Sequence, residues 1–457
     1  MTAPVTRRPA DLAELPLSAL QQRIWYLCTA YSGDASPQVF VIWRLRGPLK
    51  TQGWCDAVGA VVDRHESFRT TFVLRDGQPV QVIKPPGGGL ETELIDLTGL
   101  PEPEREEQAQ QIVAKRTHAL LDLVGGPLVR SCLIRLGEEH HVWCFTEHHV
   151  LADGASQRIL AQDMRAAYQS FVDDVPLDLP ELKVQYGDFA LWQQTVQQPS
   201  EEADLDYWRE QLADVPLLDL PTDRPRPAEK VAGSGELFHS AGGELPQRIA
   251  ELARARRCTP FMVLLAAMQA LLASETGQED ICVGSAVAGR TVVDLEPVVG
   301  LFANTVALRG DLSGDPTFAE LLLRTRKAVI AALRRQNVPF SRVVDALNLP
   351  RIANRTQLFQ VIFSMRPNSG GKDKEDLAGL QVEDFPHPHA KTLHDLVIDV
   401  WRLDEHELSV GFRYDDTLFD ANRVAALAQR YEQLLTAVVD RPEAHLSELT
   451  SQTHPAG

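Results

Sequence analysis

Apolar positions recur along this chain with two alternating periods. In "PLSALQQRIWYLCTAY", Leu20, Ile24, Leu27 and Cys28 share one helical face. Ser18, just after Pro16 and Leu17, stands where an N-cap belongs. "QVFVIWRLRG" is an apolar run that reads as a buried strand, and "WCDAVGAVVDRHESFRTTF" reads as helix into strand. "TTFVLRDGQPVQVI" predicts a hairpin, two β-rich runs joined around Asp76-Gly77. "EREEQAQQIVAKRTHALLD" predicts a helix, and "LVRSCLIRLGEEHHVWCFTEHHV" predicts two strands about a glycine-containing turn. After Gly154 the period becomes helical again, with Ile159, Leu160, Met164, Ala167, Tyr168 and Phe171 in phase.

Two proline-rich segments interrupt this pattern. "DDVPLDLPELK" (173–183) reads as a connector, and "PLLDLPTDRPRPAEK" (216–230) is similar. Helical stretches "YGDFALWQQTV" and "LDYWREQLA" lie between them. Strands and helices then alternate as far as "ANRVAALAQRYEQLLTAVV", expected to be the final amphipathic helix. "RPNSGGKDKEDLAG" (366–379) reads as a polar loop. The shared α/β style of the two halves hints at two related lobes.

Composition narrows the class. The 457 residues are 44% hydrophobic and 24% charged, as in ordinary globular chains. A net charge of −18 disfavours nucleic acid and anionic membranes as partners. No run of about 18 apolar residues suggests a transmembrane helix. The N-terminus has no apolar signal-peptide core. Cys28, Cys55, Cys132, Cys144, Cys258 and Cys282 are scattered without a C-x-x-C, which predicts reduced thiols and a cytoplasmic location.

The densest chemistry is "FTEHHVLADGAS" (145–156), a strand end, a short loop and a helix start. Adjacent histidines at a strand end point to opposite faces, so His148 and His149 do not readily share one metal ion, and none is expected. Either histidine could equally be a hydrogen-bonded core residue. In a catalytic reading one imidazole faces a cavity as general base while the other supports the loop. Asp153 would hold the loop by pairing with a cation, and Gly154 would allow close backbone approach. No G-x-S-x-G elbow or Walker A loop is present, and Cys144 reads as core. The histidines of "HPHAKTLHD" (387–395) fit no standard metal spacing.

"HHVLADG" resembles the H-H-x-x-x-D-G signature of the condensation domains of nonribosomal peptide synthesis. Companions occur in family order over about residues 15–445: "SALQQRIWYL", "RHESFRTTF", "YGDFALW", "VGLFANTVALR" and "YDDTLFD". Two family motifs depart from pattern. They appear as "RQNVPFS", with Arg335, Asn337 and Ser341, and "RIANRTQLFQ", with Ile352, Asn354 and Gln357. The departures bear on substrate and partner specificity.

The resemblance implies an α/β (α+β) fold of two chloramphenicol acetyltransferase-like lobes, 1–180 and 181–457, in a V with the active site at their junction. It implies no tightly bound cofactor. The donor acyl or aminoacyl group rides on the phosphopantetheine of a separate acyl or peptidyl carrier protein. The acceptor is a small-molecule or carrier-bound amine or hydroxyl. His149 would be the catalytic base, with His148 and Gly154 supporting. Asp153 would pair with an arginine of the C-terminal lobe, Arg290 first and Arg309 second. Asn304 would either line the substrate tunnel or stabilise a turn. Arg23, Trp25, Arg64, Glu66 and Arg69 are expected to hold elements together, and Tyr186 and Trp192 to pack helix faces.

The motifs begin soon after Met1 and nothing after "HLSELTSQTHPAG" starts another domain, so a free-standing enzyme acting in trans is expected. High Arg over Lys suits a GC-rich bacterial source, as is frequent for antibiotic producers. Rival readings are an acyl-CoA-dependent acyltransferase, though D-F-G-W-G is absent, an epimerisation domain, though E-G-H-G-R-E is absent, and a non-catalytic carrier-recruitment module.

Overall fold

The computed structural model describes residues 4–9, 12, 14–30, 38–197, 201–230, 232–366, 377–387, 391–404 and 406–451. The chain forms two compact units.

The first unit runs β1 (Glu14–Pro16), α1 (Ala19–Ala30), β2 (Gln38–Arg46), α2 (Thr51–Arg64), β3 (Thr70–Arg75), β4 (Gln78–Ile83), β5 (Thr92–Asp96), α3 (Glu102–Thr117), β6 (Val129–Gly137), β7 (His140–His148), α4 (Gly154–Asp173) and α5 (Tyr186–Trp192). α1 starts as its sequence predicts. Ser18 Oγ accepts from Gln21 N at 3.1 Å while Gln21 Oε1 accepts from Ser18 N at 2.9 Å, a reciprocal cap. The hairpin also forms at Asp76-Gly77, with Arg75 opposite Gln78.

β2 is apolar over most of its length because both of its faces are covered. Val41, Trp43 and Leu45 join a core with Trp54 of α2 and Tyr168 of α4, whereas Ile42 joins Val142, Cys144 and α3 on the other side. Trp43 lies directly opposite Trp143 on β7, ring centroids 5.2 Å apart. Of the helical stripe predicted for α4, Ile159 to Tyr168 are buried, but Phe171 is 38% exposed.

The second unit contains α6 (Glu202–Gln211), β8 (Gly235–Ala241), α7 (Leu245–Ala255), α8 (Pro260–Thr276), β9 (Asp280–Val287), β10 (Asn304–Asp311), α9 (Phe318–Leu333), α10 (Phe340–Leu347) and β11 (Val361–Met365). β12 (Gln381–Asp384) returns to the first unit, where it pairs with β2. β13 (Leu396–Leu403), β14 (Leu408–Tyr414), α11 (Ala421–Asp440) and α12 (Leu446–Ser451) complete the second. α11 is thus not the last helix.

The sheets are β12-β2-β7-β6-β5 and β1-β4-β3 in the first unit, and β10-β9-β11-β13-β14-β8 in the second. α8 is apolar on every side because Met262 to Leu272 are all buried as the second core's axis. Among the described residues no single helix is long and apolar enough to cross a membrane.

The unit boundary differs from the one expected. It falls after Glu201 rather than at residue 180, and Ala288–Ala303 rejoins the first unit. The connector predicted over 173–183 is irregular from residue 174 on, but does not leave that unit. The cause is apolar burial: α5 puts Tyr186, Phe189 and Trp192 in one cluster with Val298, Leu301 and Phe302. The second proline-rich segment belongs to the other unit. There Arg226 and Lys230 pair with buried Asp395, Lys230 also reaching Asp415.

Segment 288–303 is fitted closely. Gly289 has φ +65°, and a Cβ there would strike the carbonyl of Phe302. A Cβ on Gly300 would enter the ring of Tyr186, whose hydroxyl lies 2.8 Å from Leu301 O and 2.7 Å from Ser18 Oγ. Gly300→Ala is therefore expected to destabilise the chain by about 1–3 kcal/mol through overpacking. Urea unfolding measures it, and a change below about 0.5 kcal/mol would mean the segment can shift freely.

Candidate active site

The stretch 145–156 forms the end of β7, a tight loop and the first turn of α4. His148 is fully buried and braces the loop. Its backbone N–H donates to Leu128 O at 2.8 Å, and its carbonyl accepts from Leu151 N at 2.9 Å. Val150 N donates to His148 Nδ1 at 3.0 Å, so that nitrogen is an acceptor and the ring proton sits on Nε2. Nε2 faces Cys28 Sγ at 3.8 Å. Burial, with His149 alongside, pushes the His148 imidazole down to about 4, so it is neutral near pH 7.

His149 is half-buried and differently engaged. Its Nδ1 lies 2.6 Å from Ala152 O. A carbonyl only accepts, so Nδ1 carries the proton, and in the neutral ring Nε2 carries a lone pair. Nε2 has no hydrogen-bond partner among the described residues.

Asp153 caps α4 and is completely buried. Its Oδ1 accepts from Ser156 N at 2.9 Å, Ser156 Oγ at 2.8 Å and Arg290 Nη2 at 3.1 Å. Its Oδ2 accepts from Arg290 Nη1 at 3.0 Å and from Phe302 N and Ala303 N, both at 2.9 Å. Burial pushes this carboxyl up, but the Arg290 charge and the hydrogen bonds outweigh it and hold it below the usual carboxylate range.

Arg290 also donates to Val298 O at 3.1 Å and stacks over Phe302 at 4.4 Å. Its partner is thus in place, but not from another lobe: both residues belong to the first unit. Arg309 is in the second unit, bonded to Asp280 and to the carbonyls of Gln211 and Ala213.

Gly154 begins α4, and a Cβ there would meet nothing within 4 Å. The fold itself therefore does not require glycine. Asn304 lies in the second unit and stabilises a turn. Nδ2 donates to Gln336 O and Val338 O, and Oδ1 accepts from Phe340 N at 3.0 Å. Every polar atom of its amide is thereby used within "RQNVPFS". Arg335 of that motif stacks over Tyr207 at 3.8 Å. Of the polar loop 366–379, residues 367–376 lie outside the described residues, as do 388–390 of the His-rich stretch. Among the described residues no group of three His, Cys, Asp or Glu could hold a metal ion.

The framework motifs converge on the same unit. Arg64 and His65 both bond Asp163 of α4 at 2.8 Å, Glu66 pairs with Arg8, and Ser67 Oγ donates to Val299 O at 2.7 Å. Ser156 was missed by sequence reasoning although it has N3 capping spacing from Asp153. Its hydroxyl is 2.9 Å from Gly300 O and accepts from Gly300 N at 3.1 Å.

Glu147 was also missed. It is fully buried, and neither of its carboxyl oxygens has a hydrogen bond of ordinary geometry. Burial pushes it up to about 8, the Gln157 amide opposes this only partly, and the Asp153 charge reinforces it. A carboxyl inside a β-strand is the signal that could have flagged it.

A sheet-and-helix unit with a carboxylate-anchored histidine loop is the architecture of the condensation domains. The model of that family, described as "Condensation domain", matches residues 12–454, and the chain belongs to it. The fold is the chloramphenicol acetyltransferase-like α/β fold of that family's known structures, and the family is one of acyl-transfer proteins. The chain is 39% identical over 450 residues to a linear gramicidin synthase of Brevibacillus parabrevis, covering 98% of this chain and 9% of that protein, so it spans only a small part of that relative's length. Among solved structures it is similar to the X-domain from teicoplanin biosynthesis, with a TM-score of 0.84, 29% identity and 98% of each chain covered. It is also similar to SgcC5 from Streptomyces globisporus, with a TM-score of 0.76, 28% identity, and 94% and 100% covered.

Two outcomes follow from the buried groups. Arg290→Met should cost about 3–5 kcal/mol at pH 7, because it strands the Asp153 carboxylate. Asp153 has a depressed pKa in the folded chain, so its contribution is present above about pH 4 and is lost as pH falls further. Arg290→Met should flatten that acid limb in urea titrations. Glu147 has a raised pKa, so wild-type stability should decline as pH rises from about 4.5 to about 8. Glu147→Gln should remove the decline, and the two proteins should diverge across that range in thermal melts. Parallel profiles would refute a buried, protonated Glu147.

Proposed function

We propose that this chain is a condensation enzyme. It transfers an acyl or aminoacyl group from the phosphopantetheine thioester of a carrier protein to an amine or hydroxyl acceptor, forming an amide or an ester. The reading is supported chiefly by His149, whose Nδ1–H is fixed by Ala152 O at 2.6 Å while Nε2 has no hydrogen-bond partner among the described residues. A second support is the family membership of nearly the whole chain.

In this mechanism His149 Nε2 takes the proton of the attacking amine or hydroxyl as the new C–N or C–O bond forms. The tetrahedral intermediate then expels the pantetheine thiolate, which takes a proton back from His149. Asp153 and His148 act on the loop and leave the proton transfer to His149. The acyl-CoA-dependent alternative uses the same chemistry with a soluble thioester.

A second reading is recruitment of a protein partner. It is supported by the similarity, at 28% identity and a TM-score of 0.84, to an X-domain solved in complex with OxyB. The intact histidine pair favours catalysis.

The experiment uses loaded carrier proteins, amine and alcohol acceptors, and product mass as the readout. Wild type should form product, and His149→Ala should lower the rate by roughly 10²–10⁴-fold. Carrier binding, measured by calorimetry, should persist in the variant. Unchanged product formation by His149→Ala would overturn the catalytic assignment, whereas carrier binding without turnover in wild type would favour recruitment.

A further inference from the structure

Helix α1 meets the histidine loop at two points. Gln21 and Cys28 share one face of it, separated by about two turns. Gln21 Nε2 donates to Val150 O at 3.3 Å. Cys28 Sγ lies 3.8 Å from His148 Nε2, within reach of a hydrogen bond to sulfur. α1 is itself well anchored: besides its reciprocal cap, Ser18 Oγ meets the Tyr186 hydroxyl at 2.7 Å, and Ala19 N donates to Gln193 Oε1 at 2.8 Å. Val150 is therefore held on both sides of its backbone, its N–H by His148 Nδ1 at 3.0 Å and its carbonyl by Gln21.

The His148 ring has one proton to place. Nδ1 is an acceptor from Val150 N, so Nε2 bears the proton, and in a fully buried residue that N–H needs an acceptor. The Cys28 sulfur supplies it. This thiol is half-buried, and burial pushes its pKa up, so it is uncharged at neutral pH. Its neutrality matters. An anion at the same place would favour the imidazolium, whose two ring nitrogens both donate, and Nδ1–H would then oppose Val150 N–H. Among the described residues the other titratable group acting on this ring is His149, which also disfavours charge there. Glu147 belongs to the opposite face of β7, because successive strand residues alternate. A weak, neutral acceptor is thus the partner that keeps the ring in the state on which Val150 N depends. Cys28 is the first residue after "SALQQRIWYL", so that motif does not supply it.

We infer that Cys28 is a positioning residue for the reaction: its sulfur holds the His148 imidazole in the Nε2–H form, and through that ring it fixes the loop that carries His149. The inference rests on the condensation reading of His149. Without an acceptor at position 28, either a buried N–H is left unpaired or the ring turns and releases Val150 N. In both cases the stretch from His148 to Ala152, whose carbonyl orients His149, loses a fixed point.

The test combines condensation kinetics with ring-nitrogen NMR of the full chain grown with isotope-labelled histidine. Wild type should show His148 protonated on Nε2 at neutral pH. Cys28→Val has a similar size and no acceptor. It should lower kcat about 5-fold or more, with KM for both substrates within about 2-fold of wild type. Cys28→Ser keeps a neutral acceptor and should restore most of the rate with the same ring protonation. Cys28→Asp should raise the His148 pKa by about one unit or more and move the acid limb of kcat to higher pH. Each variant should melt in one cooperative transition. A wild-type His148 protonated on Nδ1, or a Cys28→Val kcat equal to wild type, would overturn the inference. So would a Cys28→Ser variant as slow as Cys28→Val, which would assign the effect to packing. If wild type forms no product, the condensation reading fails, and the ring spectra of wild type and Cys28→Val still decide whether Cys28 holds His148.

Discussion

The first unit depends on one buried ion pair. Asp153 and Arg290 are 137 residues apart in sequence, and neither could be desolvated alone without a penalty of several kcal/mol. Together they satisfy each other and share further hydrogen bonds. The carboxylate also takes the backbone N–H groups of Phe302 and Ala303, and the guanidinium also takes Val298 O. The pair therefore clamps the start of α4 to segment 288–303. That segment in turn brings Gly300 against Tyr186, and Tyr186 against Ser18 at the cap of α1. A single charge pair thus orders stretches from four parts of the chain.

The same clamp explains how two adjacent histidines acquire different roles. β7 ends at His148, whose ring is used on both nitrogens within the unit: Nδ1 for the Val150 amide, Nε2 beside Cys28. The loop then turns and closes at Asp153, which is held by Arg290, Ser156, Phe302 N and Ala303 N. His149 lies between these fixed points. Its ring is set by one bond to Ala152 O, close to the anchor, so the orientation of Nε2 follows from the position of Asp153.

Much of this was legible in the chain because local rules and burial agreed. Ser18 and Gln21 spell a cap, Asp76-Gly77 spells a hairpin, and the run in β2 spells a strand covered on both faces. The choice of Arg290 over Arg309 came from the resemblance, not from spacing. What could not be read was which unit owned Arg290. The excursion of 288–303 back to the first unit is driven by Phe302, Leu301 and Val298 packing on α5, a long-range burial that no local pattern records. Asn304 shows the same limit from the other side. A polar residue in a shared motif looks like a substrate contact, yet its amide is used entirely on the turn before α10.

The protonation pattern around the loop completes the physical picture. Three titratable side chains there are each committed to one state at neutral pH, and for different reasons. Asp153 stays ionised because Arg290 and four other hydrogen bonds outweigh its burial. His148 stays neutral because burial offers its charged form no counter-ion. Glu147, one residue earlier, keeps its proton because Gln157 opposes its burial only partly and Asp153 repels a second negative charge. Among the described residues, His149 Nε2 is the ring nitrogen of the pair without a hydrogen-bond partner. That is the nitrogen to which the proposed mechanism gives the proton of the attacking nucleophile.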